Sequence, residues 1–404
     1  MNRIGNISSG EKKVVGVAFA GWALDAMDFM SYALIIPILL GALSMTRGEA
    51  GIITSAALMT SAVGGWFGGM LADRFGRVRV LQWVVMWFAG FSVLCGFAQT
   101  SNQLLILRSL QGFGFGGEWA VGAALVTEMV RPEHRGRVMG FVQSGWSIGW
   151  GIAVALVSVI SILAPPHVAW HIVMWAGFLP ALLVLYVRRY LPESPAFIAA
   201  VKEARARPSP LAIFSGDLKR NTFLACLMTV GLQGGYFAVQ TWLPTYLLVE
   251  RHFTRGHAGI DMAIVIIGSF TGNVSHGYLS DRIGRRTAFI GYALGAAVTI
   301  LTYMAVPFDR TGLTMMALPI GFFTSGVYGS VGAILAELFP TLLRATGQGF
   351  TYNFGRGFGA VFPAMVGFLG ATMSLGMAIA VFAASAYTLA AAAVFFMPRL
   401  GAVD

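Results

Sequence analysis

"GGMLADRFGRVR", residues 68–79, recurs as "HGYLSDRIGRRT", residues 276–287, 208 positions later. Asp73, Gly76 and Arg77 correspond to Asp281, Gly284 and Arg285. Further along, Glu128 stands seven residues before Arg135, and Glu337 seven before Arg344, at an offset of 209. Two motifs that return in the same order at nearly one spacing mark a duplicated chain. Both lie between apolar runs of about 20 residues, the length a helix needs to cross the hydrocarbon and too long for barrel strands. Such runs recur from Val14 to Met397.

Composition agrees. The 404 residues are 57% hydrophobic and 11% charged, with a mean hydropathy of +0.74. A soluble domain carries about 25% charged residues, so an integral membrane protein is expected. Twelve spans are predicted, beginning near Val14, Ala50, Val78, Gln103, Gly136, Val168, Asn221, His257, Thr287, Gly312, Arg344 and Ser374. The fold class is all-α integral membrane, with twelve transmembrane helices in two pseudo-symmetric six-helix bundles. The expected divisions are 1–190, a cytoplasmic linker at 191–220 that holds several prolines, and 221–404. The first apolar run is too long for a signal peptide and reads as span 1. Cys95 and Cys226 fall inside spans 3 and 7, where no structural disulfide is expected.

The formal charge of +10 raises the question of nucleic acid, and its placement answers it. Of 27 Lys and Arg, 21 lie at the termini or in loops after even-numbered spans. Arg47, Arg251, Arg255 and Arg310 fall on the opposite side; Arg108 and Arg356 are within spans. This is the positive-inside bias, with both termini cytoplasmic, and it calls for no nucleic-acid partner.

A parallel pair of six-span halves is a transporter plan with the substrate site between the repeats. The paired motifs supply acids and arginines at span ends, suited to a reversible charge network. Asp73 has two candidate partners, Arg135 or the positive end of a helix; Glu128 has Arg77 or Arg135. Asp281, Arg285, Glu337 and Arg344 repeat the set. The plainer alternative is that these charges only anchor helix ends.

The stretch "LDAMDF" (24–29) puts Asp25 and Asp28 in an apolar span, with Tyr32 completing one helical face at i, i+3 and i+7. The offset of 208 carries that stripe onto Gln233, Tyr236 and Gln240; the offset of 209 carries Gln143, Ser144 and Ser147 onto Tyr352, Asn353 and Arg356. Polar stripes at equivalent positions in both halves read as a cavity wall, because polar groups facing lipid go unsatisfied. Arg356 offers a forked donor set for a carboxylate. An aspartate in a poorly solvated cavity exchanges protons near neutral pH. Symport of an organic anion is therefore expected. Arg356, Tyr352, Asn353, Gln233, Tyr236, Gln240, Tyr32, Gln143 and Trp146 would bind substrate, and Asp25, Asp28, Arg108 and Glu118 would handle the proton. Which aspartate carries it stays open, and a permanent pair between Arg356 and an aspartate is the bland alternative. Glu118 is equally a second proton carrier or a packing residue. Asn273 and His276 read as helix-contact residues.

The signature loops resemble those of the major facilitator superfamily, and the resemblance covers essentially the whole chain. "RSLQGFGFGGE" (108–118) is similar to its span 4 motif, and "LPESP" (191–195) to the linker of sugar porters. "LDAMDF", "GFGFGGEWAVGAALVTEMVRPEHRGRVMGF" and "GQGFTYNFGRGFGA" resemble the aromatic-acid and sialate proton symporters, although Ala26 stands where a glycine follows the first aspartate there. The resemblance implies alternating access, gating by the paired loops and a coupling role for Arg108. It also implies a monomer in the bacterial cytoplasmic (inner) membrane, with a small organic acid and the proton as ligands and no cofactor, metal or enzymatic activity. A sugar or polyol symporter fits "LPESP" but leaves Arg356 idle. A drug–proton antiporter would carry a glycine–proline motif where span 5 reads "QSGWSIGWGIA".

Overall fold

The structure, a computed structural model, describes residues 9–203, 208–370 and 372–398; residues 204–207 of the expected linker lie outside these. Spans 1 to 5 are Ser9–Ala42, Arg47–Phe75, Arg77–Cys95, Ser101–Met129 and Arg135–Leu163. Span 6 is broken, with Pro166–Trp175 and Leu179–Tyr190 flanking a 3-10 turn at Ala176–Phe178. A short helix, Pro195–Glu203, follows. Span 7, Leu218–Thr245, ends in a π turn, Tyr246–Glu250; spans 8 and 9 are Arg255–Ile283 and Arg285–Ala305. Span 10 joins Arg310–Gly326 to Val331–Leu338 through a 3-10 turn at Val327–Ser330. Span 11 is Arg344–Gly359 and Phe362–Leu369, and span 12 is Leu375–Phe395. The largest departure from the expected starts is at span 1, predicted from Val14 and beginning at Ser9.

Among the described residues nine helices are both long and apolar enough to cross a membrane. The other crossings are spans 4, 6 and 11. Span 4 is diluted by Arg108, Gln111, Glu118 and Glu128, all buried. Spans 6 and 11 are interrupted. Each break precedes a proline, Pro180 or Pro363, in the first turn of the helix that follows.

Helix starts obey two different rules. Spans 2, 4, 8, 10 and 12 begin behind Thr46, Thr100, Thr254, Asp309 and Ser374, whose side chains each accept a backbone N–H three residues on. These local caps satisfy amides that have no partner within the helix. Spans 3 and 9 instead begin at Gly76 (φ +100°) and Gly284 (φ +89°). Only glycine adopts that backbone without strain, which explains why both repeats keep it.

The chain forms two compact units. The first holds residues up to Pro132 with Gly145–Ile213 and Phe339–Phe350; the second holds Glu133–Ser144, Phe214–Leu338 and Thr351 onward. In the first, span 2 lies along span 4, and in the second span 8 lies along span 10. Glycines permit both approaches. A Cβ at Gly64 would sit 1.8 Å from the Phe113 carbonyl oxygen, and one at Gly272, its repeat equivalent, 2.1 Å from that of Phe322. Small residues that bring backbones together are the usual means of helix association in lipid.

Because backbone cannot retreat as a side-chain tip can, Gly64→Ala is expected to destabilise the protein by about 1–3 kcal/mol. Thermal unfolding in detergent checks this; an unchanged midpoint would contradict the close approach.

Candidate functional site

In each unit polar side chains gather both at span ends and within spans. At the first signature loop, Asp73 bonds the backbone N–H groups of Ala345 (3.4 Å) and Thr346 (2.8 Å) and the Thr346 hydroxyl (2.7 Å). It therefore caps the start of span 11. Asp281 does the same for span 5, accepting from the N–H groups of Gly136 and Arg137, each at 2.9 Å. The capped amides are themselves 209 residues apart, so the repeat extends to the interaction. Of the two partners open to Asp73, the helix terminus is the one realised, together with Arg77 at 2.9 Å.

Arg77 is fully buried. It meets both oxygens of Glu128 at 3.0 and 3.1 Å and donates to the carbonyls of Ala72 and Thr341. Arg344 reaches the same Glu128 at 3.2 Å. In the second unit Arg285 pairs with Glu337. Glu128 thus takes Arg77 rather than Arg135, and adds Arg344. One member was not read from the sequence. Glu193 of "LPESP" accepts the N–H groups of Arg77 (2.9 Å) and Val78 (3.2 Å), capping span 3 where Gly76 offers no side chain. The guanidinium of Arg77 lies 4.1 Å over the ring of Phe197, in the same linker.

Within the first unit the two aspartates of span 1 have different surroundings. Asp28 is held by Arg108 (3.2 Å), the Gln111 amide (2.7 Å) and the Ser92 hydroxyl. Gln111 also accepts from Arg108 at 2.6 Å, and Tyr32 lies under that guanidinium at 4.3 Å. The break in span 6 belongs here, since a Cβ on Gly177 would collide with Ser92 and Asp28. Asp25, fully buried, faces Glu118 of span 4, carboxyl to carboxyl. Trp22, Phe29, Phe115 and Trp146 pack on one another on these spans and on span 5, with ring centroids 5.0–6.4 Å apart.

The second unit gathers another set. Tyr352 is within hydrogen-bonding reach of Arg356, Gln233 and Gln143, and the Arg356 guanidinium lies 5.2 Å over its ring. Tyr328 donates to Gln233 at 3.2 Å, and its ring meets that of Tyr236 edge-on at 5.5 Å. Tyr328 carries no signal in the sequence, because its burial and the turn in span 10 are known only from the fold. Asn353 is buried in the same stretch of span 11. Gln240 does not join the set by any hydrogen bond. Trp242 donates to Pro363 and packs span 7 on span 11, and His276 bonds Gly326 and Ser330, a contact of spans 8 and 10. Among the described residues no three His, Cys, Asp or Glu side chains are grouped to hold a metal ion.

Buried charge within spans and mirrored ionic loops at their ends define a multi-pass membrane transporter. The chain belongs to the Major Facilitator Superfamily, whose family model matches residues 18–364. It is 39% identical over 389 residues to a probable 4-methylmuconolactone transporter of Cupriavidus pinatubonensis, covering 96% of this chain and 91% of that one. It is 29% identical to a cis,cis-muconate transport protein of Acinetobacter baylyi, covering 91% and 90%. Its fold is similar to that of the proton:xylose symporter XylE, with a TM-score of 0.82 at 18% identity over 97% of this chain and 96% of the other.

Removing one partner of a buried ion pair strands the other, at a cost of about 3–5 kcal/mol. Asp28→Asn is therefore expected to lower the unfolding midpoint sharply, and Asp28→Asn with Arg108→Gln to recover most of it. Equal midpoints for wild type and Asp28→Asn would show that Arg108 does not depend on Asp28.

Proposed function

We propose that the protein is a proton-coupled symporter of an organic acid anion, working by alternating access. We place it as a monomer in a bacterial cytoplasmic membrane with both termini inside. The observation that carries the reading is Arg356, a guanidinium buried in a span beside Tyr352, Gln233 and Gln143. A buried forked cation beside such donors and acceptors suits a carboxylate and serves no purpose for a neutral sugar. Relatives named for muconolactone and muconate support an acid substrate.

The coupling proton is assigned to Asp25 and Glu118. Two facing carboxyl groups can hold one proton between them as a hydrogen bond, which gives the pair a place for it. Asp28 is instead committed to Arg108, the Gln111 amide and the Ser92 hydroxyl. The charge network of Asp73, Arg77, Glu128 and Arg344, and the pairs Asp281–Arg137 and Arg285–Glu337, serve as the gate. They open when the caps on spans 5 and 11 are released.

Reconstituted protein supplied with labelled cis,cis-muconate, nicotinate, gallate and sialic acid is expected to accumulate at least one of them, and to do so only with an inward proton gradient. No uptake of any acid, or uptake indifferent to the gradient, sinks the symport reading. Asp25→Asn and Glu118→Gln should each abolish gradient-driven accumulation while sparing exchange. Arg356→Ala should raise KM by about 10- to 100-fold, the worth of a charge-assisted hydrogen bond; an unchanged KM removes it from the site.

A further inference from the structure

Four basic residues stand on the membrane face opposite the basic loops, and two of them, Arg251 and Arg310, line one cavity of about 420 Å³ in the second unit. His252, His257 and Glu250 share its wall. We propose that this cavity is a docking site for an organic carboxylate, occupied before the anion enters the transport pathway. The proposal rests on the organic-acid reading above and adds a second place where the anion is held.

Neither topology nor helix position favours these cations here. Basic residues on this face work against the orientation bias. Arg310 is the first residue of its helix, the end where the dipole disfavours positive charge. His252 has φ +55°, a conformation costly for a residue with a side chain and associated with functional sites.

Glu250 and Asp261 are the acids nearby, and each accepts one hydrogen bond. Glu250 accepts the Gly376 N–H at 3.1 Å. Asp261, buried in span 8, accepts the Thr314 hydroxyl at 2.8 Å and faces Arg310 and His257. Arg251 spends one N–H on the Phe308 carbonyl, which steadies the guanidinium and leaves its other donors. The His257 Nδ1 is paired with the Thr254 hydroxyl at 2.7 Å, leaving Nε2. Two forked cations and two imidazoles around one small cavity suit a carboxylate, and the volume lies within the range of small-molecule sites, roughly 300–1,000 Å³. A lipid phosphate carries the same anionic oxygen chemistry, so the test must separate the two.

His252→Cys provides a probe, because the native Cys95 and Cys226 are buried. In phosphatidylcholine vesicles this thiol should react faster with a negatively charged thiosulfonate than with a positively charged one. The preference should be roughly tenfold above that of a free thiol, as expected of a cationic cleft. Arg310→Gln should reduce that preference, and benzoate should protect the thiol. A ratio no greater than that of the free thiol, or no protection by benzoate, overturns the proposal. So does protection conferred instead by adding phosphatidylglycerol, which would assign the cavity to a headgroup.

In transport, Arg310→Gln should raise KM from this face by about two- to fivefold, the worth of one exposed charge contact, with kcat and the KM from the other face unchanged. A fall in kcat alone would mark Arg310 as structural and overturn the proposal. Failure of the wild type to transport any acid while the thiol preference holds would defeat the symport reading and leave the anion site standing. Transport without the thiol preference would do the reverse.

Discussion

A helix that begins in or beside a membrane exposes backbone N–H groups that must find acceptors, and the way this chain supplies them organises everything else. On the face poor in basic residues the acceptors are local: Thr46, Thr100, Thr254, Asp309 and Ser374 each cap their own helix. On the basic face they come from elsewhere in the chain. Asp73 caps span 11, Asp281 caps span 5 and Glu193 caps span 3. A local cap survives any rigid movement of its helix. A distant cap survives only while two elements stay together, so it can be made and broken without unfolding either one. Span ends of the second kind are suited to a gate, and the acids there do work that orientation alone would not require.

Inside the spans the same physics governs carboxylates rather than amides. Asp28 and Asp25 are one turn apart on one helix, yet Asp28 is given a cation, an amide and a hydroxyl, whereas Asp25 is given another acid. Close packing makes such specific surroundings possible. Gly177 in the break of span 6 leaves room for Ser92 and Asp28, and Gly64 lets span 2 approach span 4. The acid pair has a place for one shared proton between two carboxyl groups, the property that the proposed coupling needs.

Much of this was legible in the sequence because it rests on residue types with few substitutes. Gly76 and Gly284 are required by positive φ, and Asp73 and Asp281 by the need for a short acceptor at a fixed place, so both survive in each repeat and betray the duplication. Polar residues at equivalent positions of spans 1, 5, 7 and 11 were visible for a similar reason, since lipid tolerates few of them. What stayed hidden depends on partners brought together only by folding. Glu193 looks like any linker acid until span 3 is seen to start at Gly76. Gln111 and Ser92 look like minor polarity in spans 3 and 4 until Asp28 is placed between them. The breaks in spans 6 and 11 arise at Ala176–Phe178 and after Gly359 in runs that hydropathy reads as continuous.

The repeat also separates scaffold from specialisation. Positions that match across it, such as Gly64 with Gly272 and Asp73 with Asp281, do the same job twice and belong to the fold. The charged groups within spans do not match. Asp25 and Asp28 correspond to Gln233 and Tyr236, Arg108 to Met316, and Arg356 to Ser147. One half therefore shows that the architecture stands without an Asp28–Arg108 pair, and the other that it stands without Arg356. Burying an ion pair seldom improves on well-packed apolar residues of the same size, and a charged side chain in a span costs at least about 2.5–3.5 kcal/mol before partners are counted. Groups that the fold can do without, kept at that cost in one half only, are the ones to which the proposed function assigns the cargo and the coupling ion.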